Sequence, residues 1–170
     1  ELVRMFDYQD NAHPKADEIL DKRGIFYDKH RSIDITTSVT GTFTTEGWSV
    51  YKYTNLRSDG QPGSNSTFPD TDFPMFRLAD VYLMYAEAVA RGGQGGSLAT
   101  AVQCVNALRE RAYGGGLHGI DEAWLTENGC RNILDERCRE LYWEGTRRTD
   151  LIRYGLFTSA DYLWTFKGGV

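Results

Sequence analysis

Three glutamates, Glu136, Glu140 and Glu144, recur at four-residue steps in the segment "ILDERCRELYWEGTRRTDLIRYG" (133–155), with Arg137, Arg139, Arg147, Arg148, Arg153 and Asp150 interleaved. On a helix of 3.6 residues per turn, that spacing lines the three carboxylates along one face. Paired carboxylates are the equipment of glycoside hydrolases, which set two of them about 5 to 9.5 Å apart across a substrate. One of the two must stay protonated in a poorly solvated pocket. Here every acid has a base nearby, and neighbouring cations hold a carboxylate ionised, which suits ion pairing and spoils a general acid.

Ion pairing is therefore the expected use of the segment. A guanidinium is a planar fork that grips a carboxylate with two parallel N–H groups, so Glu136, Glu140 and Asp150 are expected to be held by Arg109, Arg139, Arg147 or Arg153 where helices cross. Asp150 is predicted to pair with an arginine and Glu140 to be largely buried. Such pairs fix geometry more than they add net stability, because desolvating the charges offsets most of their attraction.

Other chemistry-bearing residues give weaker patterns. His13, His30 and His118 are scattered, without the four-residue spacing of a helical zinc site. Cys104, Cys130 and Cys138 form no CxxC pair, and eight residues on a shared helix would separate the last two by about 12 Å, so buried free thiols are expected. Asp70 and Asp72 lack the ligand series and fixed glycine of a calcium loop; capping the following helix is the expected role of Asp72. Gly92 and Gly95 do not follow a strand, so no phosphate loop is indicated. Asn65-Ser66-Thr67 matches a glycosylation sequon, which carries no weight without a eukaryotic secretory context.

The elements that must position these groups follow from patterning. At 170 residues with 41% hydrophobic and 25% charged content, the chain can build one ordinary core and reads as globular. A net charge of −5 argues against a nucleic-acid partner, whose phosphates call for excess Lys and Arg. No run approaches the roughly 20 apolar residues of a membrane helix, and the acidic opening "ELVRMFDYQD" lacks the basic and apolar regions of a signal peptide. The opening "ELVR" and the close "WTFKGGV" carry no terminal punctuation, which suggests a piece of a longer polypeptide.

The chain changes character near Phe73. Residues 1–73 are expected to form an irregular segment with a β-hairpin or meander, from the β-prone runs "GIFYD" (24–28), "RSIDITTSVTGTFTT" (31–45) and "WSVYKYTN" (48–55), followed by a long Gly/Ser/Asp/Pro loop over 57–74. Residues 74–170 are expected to be helical. Leu78, Val81, Tyr82, Tyr85, Ala88 and Val89 share a broad face of a helix over 75–91, ended by Gly92 and Gly93. Ser97 caps a second helix, whose stripe of Leu98, Ala101, Val102, Val105, Leu108 and Ala112 is stopped by Gly114. The short "GGQGG" link makes these a helical hairpin, and residues 78–111 match the 34-residue length of a tetratricopeptide repeat. A third helix over 128–144 and a short fourth over 147–154 complete a further pair. The fold class expected is mainly α with a small β or irregular N-terminal part.

At "FPMFRLADVYLMYAEAV", "NALRERAYG" and "ILDERCRELYWEGTRRTDLIRYGLFT", with "FPDTDF", "YLW" and "KGGV", the sequence resembles the C-terminal region of the SusD/RagB family of outer-membrane nutrient-binding lipoproteins. The likeness is dense over 68–170 and thinner at "DKRGIFYDKH" and "YKYTN". It implies tetratricopeptide-like hairpins and no catalysis; no cofactor is expected, and the scattered histidines indicate no metal site. It also implies a lipid-anchored place on the cell surface, where the protein covers a TonB-dependent transporter and captures glycan, with starch-like α-glucans the expected class. Family members are several times longer, and their glycan contacts come mostly from the part this chain lacks. One departure is Thr146 after "EG", where the family commonly has histidine, so no role tied to that imidazole carries over.

Sugar rings have apolar faces and polar rims, so a glycan site wants an exposed flat ring beside amide, hydroxyl or charged groups. Trp48, Trp124 and Tyr8 fall outside the helical stripes, next to Ser49, Asp121 and Gln9, and are the candidate glycan contacts. Tyr82, Tyr85, Trp143 and Trp164 are read as rings that fill core positions. The alternative to glycan binding is a helical module that docks another protein, marked by a broad apolar or mixed patch instead of a ring platform.

Overall fold

Ser97 stands in extended backbone with its hydroxyl accepting the Thr100 amide at 3.1 Å, and Gly114 stands left-handed at φ 71°; between them runs helix α2, Leu98–Tyr113. The cap satisfies one of the amides a helix start leaves orphaned, and glycine takes the left-handed stop without a Cβ penalty. Ala101, Val105, Leu108 and Ala112, at steps of four, three and four, form its buried face. This is the computed structural model of the chain, which describes residues 2–35, 45–159 and 162.

Helix α1, Leu78–Ala90, precedes it. It starts three residues later than its pattern suggests, and its N-cap is Arg77, extended and without a side-chain capping bond. Asp72 does not cap it. Pro74 holds the preceding residue out of helical backbone, so the helix is entered well downstream of Asp72. A glycine-rich turn returns the chain so that Ala79, Leu83 and Ala86 pack on Ala101 and Val105. Gly96 permits this close return: a Cβ there would lie 2.5 Å from Val89 and 2.8 Å from the Tyr85 hydroxyl, which accepts the Ser97 amide at 3.1 Å.

The remaining helices close the core. Helix α3, Glu122–Thr126, has no forecast in the sequence; Asp121 caps it by accepting the Trp124 amide at 2.9 Å, and its Leu125 is wholly buried. Asn128, Gly129 and Cys130 then run left-handed, at φ 51°, 64° and 67°, so helix α4 is Arg131–Leu141 and begins later than 128. Cys130 and Cys138 therefore do not share that helix, and all three cysteines are free thiols. Trp143 and Gly145, at φ 63° and 79°, turn the chain into helix α5, Arg147–Arg153. Leu125, Cys130 and Ile133 join the α1/α2 core, while Leu134, Leu151 and Leu156 form a smaller cluster where α4 meets α5.

The N-terminal third is irregular. Strands β1, Phe26–Tyr27, and β2, Ser49–Val50, pair antiparallel, and Ser32 forms an isolated bridge to Glu46. Most of the run expected over 31–45 lies outside the described residues. With so little backbone pairing, rings make the core of this part. Phe6 packs edge-on against Phe26 at 5.3 Å and against Tyr142 at 5.8 Å, so the residue just past α4 is built into the N-terminal cluster. The whole is mainly helical with one small sheet.

Ser97→Ala should lower stability by about 1 kcal/mol and Ser97→Gly by only a few tenths. A urea midpoint shifted at unchanged slope would show both, and equal costs for the two variants would argue against the cap.

Candidate functional site

The acid-rich segment folds as its spacing suggests, and its carboxylates face inward. Glu136 is fully buried, its Oε1 accepting from Arg23 at 2.7 Å and its Oε2 from Arg109 and Arg139, each at 2.8 Å. One turn on, Glu140 is 3% exposed and accepts from Arg111 at 2.6 Å on both oxygens, from Arg77 at 2.8 Å and from Arg23 at 3.1 Å. Another turn on, Glu144 takes Arg77 Nε at 2.7 Å and the Lys52 ammonium. Arg23 lies between the first two, and its other edge grips the buried Asp21 at 2.6 and 2.9 Å.

A second group of charges joins α1, α4 and α5. Arg137 donates to Asp150 at 2.9 Å and to Asp80 at 2.7 Å. Arg153 reaches Asp150 at 2.8 Å and also Glu87, which Arg91 holds at 2.8 Å. Arg147 donates to the Leu134 carbonyl at 3.2 Å and to the Tyr162 hydroxyl at 2.7 Å. The sequence reading missed Arg23, Arg77, Arg111 and Lys52. Arg23 lies 113 residues from Glu136, in a segment with no periodic pattern, so no sequence signal ties the two.

This arrangement has a chemical consequence. Burial alone would raise the carboxyl of Glu136, but Arg139, Arg23 and Arg109 outweigh it and hold it down to about 2. Burial also works upward on Glu140, and there Arg111 and Arg77 prevail and lower it. Neither group can hold a proton near neutral pH and deliver it to a leaving group. Among the described residues, no cluster of three or more His, Cys, Asp or Glu side chains is arranged to hold a metal ion.

The structure places the candidate rings elsewhere than expected. Tyr8 is a core residue, 4% exposed, with its hydroxyl donating to the Val3 carbonyl at 3.0 Å, so it offers no face to a sugar. Trp48 is half-buried, with Tyr8 at 6.0 Å and Phe26 at 6.2 Å. Trp124 is half-buried against the α1/α2 core, with the Arg109 guanidinium 5.8 Å from its ring. For Tyr8 and Trp48, lying outside a helical stripe does not mean lying outside the core, because the irregular segment packs by its rings. Trp143, read as a core ring, is 64% exposed: Tyr142 takes the inward position and the left-handed turn sends Trp143 out. Trp164 lies outside the described residues.

Two clefts bring exposed rings together with polar groups. The first, about 270 Å³, lies between residues 53–55 and 69–73. Tyr53 and Phe73 expose their rings beside Asn55, Thr71 and Asp72. Asn55 is fixed there, accepting the Asp70 amide at 3.1 Å and donating to the Asn65 carbonyl at 2.7 Å, and Thr71 donates to the Thr54 carbonyl at 3.0 Å. The Asp72 carboxylate is exposed and makes no hydrogen bond among the described residues. The second, about 360 Å³, has an apolar floor of Leu2, Met5 and Leu141 under Trp143, Arg147 and Tyr162. The first has the ring-and-rim chemistry that carbohydrate recognition needs.

A sequence profile described as the SusD family matches residues 21–168. Over 125 residues the chain is 47% identical to the starch-binding protein SusD of Bacteroides thetaiotaomicron, covering 74% of this chain and 20% of that protein. It is 39% identical over 109 residues to the SusD-like protein P25 of Formosa agariphila, covering 62% of this chain and 19% of the relative. A second protein of that organism, SusD-like protein P2, is 31% identical over 150 residues, covering 76% and 28% respectively. The chain thus spans about a fifth of the length of the first two relatives.

Glu136→Gln leaves three guanidinium groups around a neutral amide and should cost about 3 to 5 kcal/mol, the usual penalty for breaking a buried pair from one side. Glu18→Gln, at a surface pair with Lys15, should cost no more than about 1 kcal/mol. A carboxylate depressed in the fold contributes stability that is present above its unfolded value and lost as pH falls through its folded value. Denaturant midpoints should therefore fall from pH 4.5 down to about 2, and Glu136→Gln should flatten that slope.

Proposed function

The chain belongs to the SusD family, and from that premise we propose that it is part of a cell-surface protein that captures carbohydrate without hydrolysing it. The observation that carries the second half is the set of arginines on Glu136 and Glu140. Pinned in their ionised form, Glu136 and Glu140 serve as structure and are unsuited to donate a proton for glycosidic cleavage. The starch-binding relative supports starch-like α-glucan oligosaccharides as the ligand class. The wider setting of the proposal is a lipid-anchored position at the outer membrane, with glycan handed to a TonB-dependent transporter. No helix among the described residues is long and apolar enough to cross a membrane.

Within this chain, the surface suited to a sugar is the cleft of Tyr53 and Phe73. An exposed ring supplies an apolar face, Asp72 an uncommitted acceptor, and the hydrogen-bonded loop around Asn55 a pre-formed wall. Pre-formed walls limit the ordering cost of binding. A second reading, a helical module that docks a protein, draws on a different observation, the apolar outward side of α1, where Leu78, Val81 and Met84 are exposed.

Calorimetry of this chain, and of the polypeptide at its native length, against maltooligosaccharides and a β-linked glycan tests the proposal. Heat of binding is expected with the α-glucan alone. Phe73→Ala should weaken it about tenfold, the worth of one ring–ligand contact. Unchanged affinity in that variant would move the sugar contact off this cleft, and binding by neither polypeptide would overturn the carbohydrate reading.

A further inference from the structure

Lys52 points into the fold, its ammonium donating to the Glu140 and Tyr142 carbonyls at 2.9 and 2.8 Å and lying 4.4 Å from the centre of the Tyr142 ring. Its neighbours on both sides turn outward: Tyr51 is 54% exposed and Tyr53 36%. A period of two is that of extended chain, in which alternate side chains stand about 7 Å apart. The pairing of the two strands continues to this point, since the Tyr51 amide donates to the Ile25 carbonyl at 2.9 Å. On the partner strand Tyr27 also faces outward, and its ring meets that of Tyr51 edge-on at 5.9 Å, while Phe26 and Val50 turn to the other side and join the ring cluster of the N-terminal part. At the far end Tyr53 lines the cleft with Phe73. Exposed rings therefore run in one row from the small sheet into the cleft, in the order Tyr27, Tyr51, Tyr53, Phe73.

We propose that this row lengthens the cleft into an extended face for a linear oligosaccharide, whose units beyond the cleft stack on Tyr51 and Tyr27. The inference rests on the carbohydrate reading of the cleft. Ring chemistry supports it: each tyrosine offers an apolar face for the C–H face of a sugar and a hydroxyl that donates to or accepts from its rim. Rigidity supports it as well. The bonds of Lys52 hold the strand that carries Tyr51 and Tyr53, and Tyr27 and Tyr51 brace one another, so little freedom is lost when a ligand settles on them. Shape separates this occupant from a protein. The row is narrow and interleaved with the polar side chains of Ser49, Thr54 and Asn55, which suits a linear chain and falls short of the broad patch that a stable protein interface buries.

Calorimetry of the polypeptide at its native length with maltotriose and maltoheptaose tests it. The short sugar can fill the cleft alone, whereas the long one also reaches the row. Tyr51→Ala should weaken maltoheptaose about tenfold and maltotriose far less, and Tyr51→Phe, which keeps the ring, should retain most of the affinity. Tyr27→Ala repeats the comparison at the end of the row, with urea midpoints showing that each variant is folded. Equal losses for the two sugars, or no loss for either, would overturn the proposal. Phe73→Ala separates the two claims. If it weakens both sugars while Tyr51→Ala changes neither, the cleft stands and its extension falls; if neither sugar binds the unmodified polypeptide, both fall.

Discussion

Two carboxylates in the interior, Glu136 and Glu140, must each be met by guanidinium groups, and the rest of the structure is arranged to bring those groups in. They come from the irregular N-terminal segment (Arg23), the entry to α1 (Arg77), α2 (Arg109 and Arg111) and α4 itself (Arg139). An unpaired buried charge costs several kcal/mol, whereas a fully met one roughly breaks even, so the cluster adds little net stability and enforces much geometry. Arginine suits the task because its fork reaches two carboxylates from one position, as Arg23 Nη1 does between Glu136 and Glu140. The acids therefore join α4 to the whole molecule, whereas their spacing in the sequence pointed chiefly to contacts with the next helix.

How much of this was legible depends on whether the information is local. Helix α2 was readable because cap, stripe and stop lie within one window, from Ser97 to Gly114. The burial of Glu140 and the pairing of Asp150 followed from acids set among bases on a helix. Helix α3 was hidden because five residues are too few to show a period, and the start of α4 was displaced by three consecutive left-handed residues, two of them not glycine. The partnership of Arg23 with Glu136 was invisible, since it depends on how an aperiodic segment lies against a distant helix. The inward packing of Tyr8 and Trp48 was hidden for a related reason: a segment with two two-residue strands has to build its interior from Phe6, Tyr8, Phe26 and Trp48.

A binding role for the family sits well with such an interior. A surface that binds needs its groups held at fixed spacing more than it needs moving parts. Charged pairs supply that directionality, which apolar packing alone does not. The cleft of Tyr53 and Phe73 lies outside the cluster, on loops next to Lys52, which the cluster holds, the usual division between scaffold and recognition surface.

The sharing of Arg23 between Glu136 and Glu140 also bears on how such a sequence can change over time. Losing Arg23, Glu136 or Glu140 leaves three charged partners short of a counter-charge in a largely buried place, so a single replacement there is heavily penalised while a concerted one is not. A replacement that keeps this interior must therefore exchange the charges of α4 as a set, not one at a time.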